Sequence, residues 1–337
     1  MTMRAPILAI GLIATIHLII GSVGMPAAAA TPPLSLEQTI PLANVAGRID
    51  HMAIDLKGGR LFVAELGNNS VDVVDLQAGK VIHRIGGLNK PQGVAYLADQ
   101  DQIVVANGGD GSVRFFRAGD LSSAGTVALG DDADNVRIDP NTGHIIVGYG
   151  EGGLAILDPT TRAKLGDIKL PGHPESFRLD PKADRVFTNV PDAGQIVVAD
   201  LKSRKLVTAW KTPGFAANFP MALDHPGGRL AIVFRHPPKL ALLDPATGAV
   251  TESLDSCADA DDVFFDGKPQ RLYVSCGDGT IDVVQRGPEG IRQASRITTF
   301  SGARTSLFVP ELDRLFVAVR SGESGSEAAI LVFRPYP

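Results

Sequence analysis

The chain carries 7 histidines and 37 acidic residues, and many of them fall in short polar segments between apolar runs. We single out as candidates for binding or chemistry Arg48, Asp50, His51, Gln92, Asp134, Asn135, His173, Glu175, Asn218, Asp261, Asp262 and Arg304. Histidine and carboxylate side chains can bind transition metals or calcium, and a histidine near a carboxylate can act as a general base. Because these residues are far apart in sequence, such chemistry requires a fold that brings them together.

Local motifs do not identify an enzyme. Gly148, Gly150 and Gly153 match G-x-G-x-x-G, but they lie between two strand-like runs, whereas a dinucleotide site needs a helix after the motif. The acidic cluster that begins at Asp259 lacks the D-x-D-x-D-G spacing of a calcium loop. The sequence also lacks a G-x-S-x-G elbow, a P-loop and a C-x-x-C-H haem site. Whether the protein is an enzyme is left open by the sequence.

One hairpin pattern recurs along the chain and indicates the fold. In RLYVSCGDGTIDVV, which begins at Arg271, two short strands flank a Gly-Asp-Gly turn. The unit that contains it repeats about every 42 residues. The residues that close the first strand of each unit are Asp55, Leu97, Asp139, Asp180, Asp224, Asp266 and Pro310. Seven such units predict an all-β, seven-bladed β-propeller with four-stranded antiparallel blades, whose strands we name A to D from the inside outwards.

The seventh unit ends after its third strand, so its blade lacks a strand D. The segment Leu36 to Leu42, LEQTIPL, precedes the first unit and has a strand pattern. We predict that this N-terminal strand completes the last blade, which closes the ring and removes a free sheet edge.

The propeller fold gives the candidate residues a common location. Loops from strand D to the next strand A share one face with the B–C hairpin tips, and residues just before strand A lie nearest the central channel. The twelve candidates fall in these D–A segments. We therefore expect them at the mouth of the channel, where they would form a small-molecule or metal site. Hydrated loop ends without a ligand are the alternative interpretation.

The two cysteines belong to the sixth unit. Cys257 lies in the loop that enters strand A, and Cys276 ends strand B, so both map to the same face on adjacent strands. In an oxidising compartment this placement predicts a disulfide. Two free thiols or a shared metal are the alternatives.

The N-terminal segment has the pattern of a secretory signal peptide. An apolar run follows Arg4, and Ala28 and Ala30 fit a small-x-small cleavage site. We expect residues 1–30 to be cleaved, which leaves residues 31–337 as a single propeller domain without a membrane span. A retained membrane anchor is the alternative. Export predicts a periplasmic or secreted location.

The charge of the chain bears on its partners. The formal net charge is −5, and the sequence has no run of lysine or arginine. We therefore do not expect the protein to bind nucleic acid by neutralising its phosphates. We expect a monomer whose partner is a small molecule or a periplasmic protein.

The hairpins also resemble a known family. At corresponding places the units carry FVAE, VVAN, VFTN, YVSC and FVAV. This pattern resembles the YVTN repeat family and, within it, the YncE-like seven-bladed propellers of bacterial periplasms. The resemblance implies the propeller fold and export, but the family carries no single activity.

Three functions follow as hypotheses. The first is a binding protein that presents a small-molecule or protein-partner site on the D–A/B–C face. The second is a lactonase-like or metal-dependent hydrolase with its site at the channel mouth. The third is a non-catalytic propeller subunit of a periplasmic redox enzyme. The sequence requires no cofactor, and a divalent metal would belong to the second hypothesis.

Overall fold

The structure, a computed structural model, describes residues 1–3, 32–224, 228–322 and 327–336. The predicted signal peptide therefore lies almost entirely outside the described residues. From Pro32 onwards the chain forms seven four-stranded antiparallel sheets. This arrangement confirms the predicted seven-bladed β-propeller.

The strands follow one another in the order expected for blades, with A, B, C and D adjacent in each sheet. The N-terminal strand is β1 (Leu34–Leu42). The strands of blades 1 and 2 are β2 (Met52–Asp55), β3 (Arg60–Glu65), β4 (Ser70–Asp75), β5 (Lys80–Ile85), β6 (Pro91–Leu97), β7 (Gln102–Asn107), β8 (Ser112–Arg117) and β9 (Ser123–Ala128). Those of blades 3 and 4 are β10 (Ala133–Ile138), β11 (Ile145–Tyr149), β12 (Gly153–Leu157), β13 (Lys164–Lys169), β14 (Phe177–Asp180), β15 (Arg185–Val190), β16 (Gln195–Asp200) and β17 (Lys205–Lys211).

The remaining blades repeat this order. The strands of blades 5, 6 and 7 are β18 (Ala216–Asp224), β19 (Arg229–His236), β20 (Pro238–Leu243), β21 (Val250–Asp255), β22 (Ala260–Asp266), β23 (Arg271–Cys276), β24 (Thr280–Gly287), β25 (Gly290–Thr298), β26 (Ser306–Val309), β27 (Arg314–Val319) and β28 (Ala328–Pro335). Two single-turn 3₁₀ helices, Leu66–Asn68 and Pro191–Ala193, form the B–C tips of blades 1 and 4.

Burial decreases from the middle of each blade to its outer edge. All residues of β3 except the first are buried, whereas β5 buries only its last residue. The apolar faces of neighbouring blades pack against each other, as in the cluster that joins Val233 and Leu242 of blade 5 to Val263 and Val274 of blade 6. This sheet-on-sheet packing explains why strands B and C are apolar on both faces.

The N-terminal strand closes the last blade as predicted. Strand β1 pairs antiparallel with β28, from Leu34 opposite Pro335 to Leu42 opposite Ala328. Ile40 and Leu42 are fully buried in the core between blades 7 and 1. Two details of the repeat assignment change. Val309, not Pro310, closes strand A of blade 7, because Val309 pairs with Arg314 as Asp55 pairs with Arg60. Strand A of blade 3 ends at Ile138, one residue before Asp139.

Hydrogen bonds between neighbouring blades fix the D–A/B–C face. The amide of His51 donates to the carbonyl of Gln92 in blade 2 at 3.2 Å. The amide of Ser306 in blade 7 donates to Asp262 Oδ2 in blade 6 at 2.7 Å. Such bonds hold the entries of adjacent A strands in register around the channel. Among the described residues, no helix is long and apolar enough to cross a membrane.

Candidate functional site

The A strands of six blades line a central channel with a cavity of about 440 Å³. Seven structurally equivalent residues occupy one level of the A strands. In six blades this residue pairs with the third residue of strand B, and in blade 3 it pairs with Ile146, the second residue of β11. The seven residues are Ala53, Ala95, Arg137, Arg178, Ala222, Phe264 and Leu307. Six of these residues line the cavity, and Ala222 does not. Two arginines in adjacent blades therefore stand where the other blades carry alanine, phenylalanine or leucine.

A second, smaller cavity of about 30 Å³ lies at the D–A/B–C end of the channel. We call it the mouth pocket; its walls are Arg48, Asp50, His51, Asp134, Asn135, Glu175, Ser176, Phe219, Asp261 and Asp262. Eight of the twelve sequence candidates are in this set. His51 and Asp262 line both the pocket and the channel cavity, so the two spaces adjoin.

Bulges at the start of the A strands position several of these side chains. The register between β10 and β11 shifts between Ala133 and Val136, which places Asp134 and Asn135 in the bulge. A similar shift between Ala260 and Asp262 leaves Asp261 without a partner in the ladder. A bulge changes the direction of the side chains that it contains. These carboxylates can therefore face the mouth although their neighbours continue the strand.

His51 lies between two carboxylates at distances longer than hydrogen bonds. Its Nε2 is 3.8 Å from Asp50 Oδ1 and 3.9 Å from Asp134 Oδ1. Burial, together with the positive charge of Arg137, lowers the pKa of His51 to about 3. The imidazole is therefore neutral at physiological pH, although the channel exposes 21% of the side chain. A base with so low a pKa is poorly matched to proton transfer near neutral pH.

Asp134, Glu175 and Asp262 of the mouth pocket have raised pKa values. Burial raises the pKa of Asp262 to about 8 and that of Glu175 to about 7. Burial and the nearby charges of Asp50 and Glu175 raise the pKa of Asp134 well above its ordinary value. Asp134 Oδ1 is buried and accepts no hydrogen bond within the described residues. An unpaired buried acceptor is costly, so this oxygen marks a place where a donor from a ligand would be stabilising.

Other mouth carboxylates are neutralised by arginines. Arg48 Nη2 lies 2.7 Å from Asp50 Oδ2, although burial still raises the pKa of Asp50. Asp261 contacts Arg235 of blade 5 at 2.5 Å and Arg304 of blade 7 at 3.0 Å.

The ion pairs continue outwards from Asp261. The same two arginines contact Asp259, at 3.2 Å from Arg235 and 2.6 Å from Arg304. The Arg235 guanidinium also lies 3.7 Å from the centre of the Phe219 ring. These contacts join blades 5, 6 and 7 at the mouth. Among the described residues, the mouth carboxylates without an arginine partner are Asp134, Glu175 and Asp262.

Four candidates do not line the mouth pocket. Gln92 Nε2 donates to Asp132 Oδ1 at 3.0 Å. His173 Nδ1 lies 2.7 Å from the carbonyl oxygen of Gly150 and 3.9 Å from Asp132 Oδ2. Asn218 is buried, and its amide donates to Asn189 Oδ1 and to the carbonyl of Gln195.

Arg304, the fourth of these, lines a neighbouring cavity of about 100 Å³ together with Arg48 and Asp259. His51 and Glu175 thus share the mouth pocket, and His173 lies outside it. Its Nδ1 is held instead by the hydrogen-bonding contact with the Gly150 carbonyl.

The predicted disulfide is confirmed. Cys257 and Cys276 are bonded, with their Cα atoms 5.9 Å apart. Both residues are buried in the core between blades 5 and 6. Together with Asp278 they form the only group of three potential metal ligands within 4.8 Å of one another in the described parts of the chain. The sulfur atoms are committed to the disulfide, so this group does not form a thiolate metal site.

Arg137 and Arg178 were missed by the sequence analysis. Both belong to A strands, in the segments NVRID and SFRLD. A signal was present, because each arginine stands two residues before the aspartate that marks its unit in the repeat. At that position the other units carry small or apolar residues.

No family model matches the chain, and no curated protein matches it. Solved structures show similarity at the level of the fold. A chain in the crystal structure of the mitotic checkpoint complex has a TM-score of 0.78 and 14% identity, over 99% of this chain and 100% of that one. A chain of Kuenenia stuttgartiensis hydrazine synthase has a TM-score of 0.74 and 14% identity, over 86% of this chain and 97% of that one. At this level of identity the likeness concerns the propeller fold and not the function.

Proposed function

We propose that the protein is an exported, YncE-like binding protein that takes a small molecule into its channel through the mouth pocket. The observation that carries this proposal is the unpaired, buried Asp134 Oδ1 at the entrance to a 440 Å³ cavity. Cavities of roughly 300–1,000 Å³ with a few convergent polar groups are typical of small-molecule sites. The disulfide supports an oxidising compartment and hence a periplasmic or secreted location.

The geometry gives less support to the other two hypotheses. For the hydrolase, His51 has a strongly lowered pKa, and His173 lies outside the pocket that holds His51 and Glu175. A redox subunit would need a broad apolar surface on which to dock its partner. Among the described residues, the exposed large apolar side chains are instead distributed over several blades, as Leu36, Ile82 and Val250 are.

The proposal is tested by closing the channel. Ala95→Phe should obstruct the channel without disturbing the blade, because Phe264 occupies the equivalent position in blade 6. Thermal shift of the purified protein against a panel of amines, amino acids, organic acids and sugars should reveal compounds that stabilise the wild type but not this variant. Val207→Phe, on the exposed outer strand of blade 4, is the matched control and should respond like the wild type.

Two results would contradict the proposal. A panel in which no compound stabilises the wild type would remove the small-molecule hypothesis. Compounds that stabilise the wild type and Ala95→Phe equally would show that binding occurs outside the channel.

A further inference from the structure

We propose that the ligand is a small zwitterion with an apolar body, a class that includes the apolar amino acids. Its anionic group would contact Arg137 and Arg178, and its cationic group would contact the carboxylates of the mouth pocket. This inference rests on the proposed function, because it specifies the ligand class of the same channel.

Two guanidinium groups with unused donors form the subsite for the anionic group of the ligand, which we call the anion-binding subsite. Arg137 donates to the carbonyl of Val136 at 2.8 Å and to Asn135 Oδ1 at 3.0 Å. Arg178 donates to the carbonyl of Phe177 at 3.0 Å and more weakly to Ser176 Oγ at 3.3 Å. Each guanidinium has five N–H donors, so several remain for a ligand.

No carboxylate neutralises these two arginines directly. Among the described residues, neither guanidinium forms an ion pair within 4.0 Å, although both line the channel cavity. Burial and the charge of Arg137 lower the pKa of Arg178 to about 9, and burial also lowers that of Arg137. Two adjacent arginines that disfavour each other's charge would be stabilised by a bound carboxylate, which accepts bidentate hydrogen bonds from such groups.

The carboxylates of the mouth pocket form a cation-binding subsite, which adjoins the anion-binding subsite. Asp134 Oδ1 has no donor, and Glu175 and Asp262 form no ion pair within 4.0 Å in the described residues. Asp262 lines both the mouth pocket and the channel cavity, where Arg137 and Arg178 also lie. The opposite charges are close enough that Arg178 and Arg137 both act to lower the pKa of Asp262, against the larger effect of burial. The two sets of charged groups therefore line adjoining cavities, which suits one short molecule with both charges.

Most of the remaining wall of the channel is apolar. At the level of the two arginines lie Ala53, Ala95, Phe264 and Leu307, and Val94 and Ile138 also line the cavity. A ligand body that carries hydrogen-bonding groups would leave them unpaired against this wall, whereas an aliphatic body would gain from the contact. An apolar amino acid satisfies all three parts of the site.

The test compares three compounds on the unmodified protein by titration calorimetry at about pH 8. L-leucine carries both charges, isoamylamine carries only the cationic group, and 4-methylpentanoate carries only the anionic group. Loss of a charge-assisted hydrogen bond weakens binding by about 10- to 100-fold. L-leucine should therefore bind at least about tenfold more tightly than either of the other compounds.

A variant tests whether Arg178 belongs to the anion-binding subsite. Arg178→Leu introduces the residue that blade 7 carries at the equivalent position, Leu307. It should bind L-leucine and isoamylamine with similar affinity. Arg292→Leu, on the exposed outer strand β25, is the control and should keep the preference for L-leucine. Circular dichroism and a cooperative melt establish that each variant is folded.

Each contrary outcome has a definite meaning. The zwitterion inference is overturned if either single-charge compound binds the unmodified protein as tightly as L-leucine, or if none of the three binds. It is also overturned if folded Arg178→Leu keeps the preference for L-leucine. In all these cases the proposed function still stands if other compounds stabilise the wild type but not Ala95→Phe.

Discussion

Replacing Asp262 with asparagine should reduce the pH dependence of stability between about pH 6 and about pH 8. The carboxyl group is 6% exposed, and burial raises its pKa to about 8. It accepts a hydrogen bond from the amide of Ser306, and it is flanked by the charges of Asp261, Arg178 and Arg137. Asparagine can accept the same hydrogen bond, but it has no proton to lose.

The magnitude follows from the difference between the folded and the unfolded pKa. The unfolded chain ionises Asp262 near a pKa of ~3.9, whereas the folded chain keeps the proton until about pH 8. The native state is thus favoured by this proton at low pH, and the advantage is lost as the pH rises through the folded pKa. Between about pH 6 and about pH 8 the wild type should lose about 2 kcal/mol relative to Asp262→Asn.

Urea unfolding at the two pH values measures this difference directly. From the lower to the higher pH, the difference between the free energies of unfolding of the two proteins should shift by about 2 kcal/mol in favour of Asp262→Asn. Asp200→Asn is a suitable control. Hydrogen bonds from Ser203 hold the pKa of Asp200 below its ordinary value, so any effect of this substitution should be the same at both pH values.

Parallel pH profiles for the wild type and Asp262→Asn would refute this reasoning. They would mean that Asp262 is already ionised in the folded protein. The nearby charges of Arg178 and Arg137 would then outweigh the effect of burial on the pKa of Asp262. If Asp262→Asn is less stable than the wild type by the same amount at both pH values, the pKa of Asp262 in the folded protein is likewise not raised.

Three further predictions concern closure, the disulfide and the mouth. Deleting Leu34–Leu42 should abolish the single cooperative melt, because blade 7 loses a strand with three buried apolar side chains, worth about 5 kcal/mol or more; calorimetry that shows an unchanged transition would contradict this. Reducing the Cys257–Cys276 bond should cost about 3 kcal/mol in urea unfolding; equal midpoints with and without reductant would contradict it. L-leucine affinity should rise by up to about tenfold from about pH 6 to about pH 8 as Glu175 ionises, and less in Glu175→Gln; identical profiles by calorimetry would contradict it.

The fold was predictable because each blade repeats the same local pattern. A hairpin such as Arg271 to Val284 indicates two strands by itself, and its recurrence sets the number of blades. The incomplete seventh unit then requires a strand from elsewhere, and the segment before the first unit supplies it as β1. Even here the sequence placed the start of that strand at Leu36, whereas the pairing begins at Leu34.

The position of the candidate site was predictable from the sequence, but the ion pairs and hydrogen bonds of its side chains were not. Asp134 and Asp261 share a place in the repeat, so their convergence at the mouth followed from the propeller. Their different environments did not, because Asp261 is contacted by arginines from blades 5 and 7, whereas Asp134 Oδ1 has no donor. Such contacts depend on bulges and on side-chain reach between blades, which a repeat pattern does not specify.

The closure of blade 7 also determines how the protein can be attached to a surface. Strand β1 starts opposite the end of β28, and the amide of Tyr336 donates to the carbonyl of Pro33 at 3.0 Å. Both ends of the propeller therefore leave together from the face of the A–B and C–D turns. Tags, linkers or tethers joined at either of these points would project away from the mouth pocket. Immobilisation through either end should leave the channel entrance open to solution.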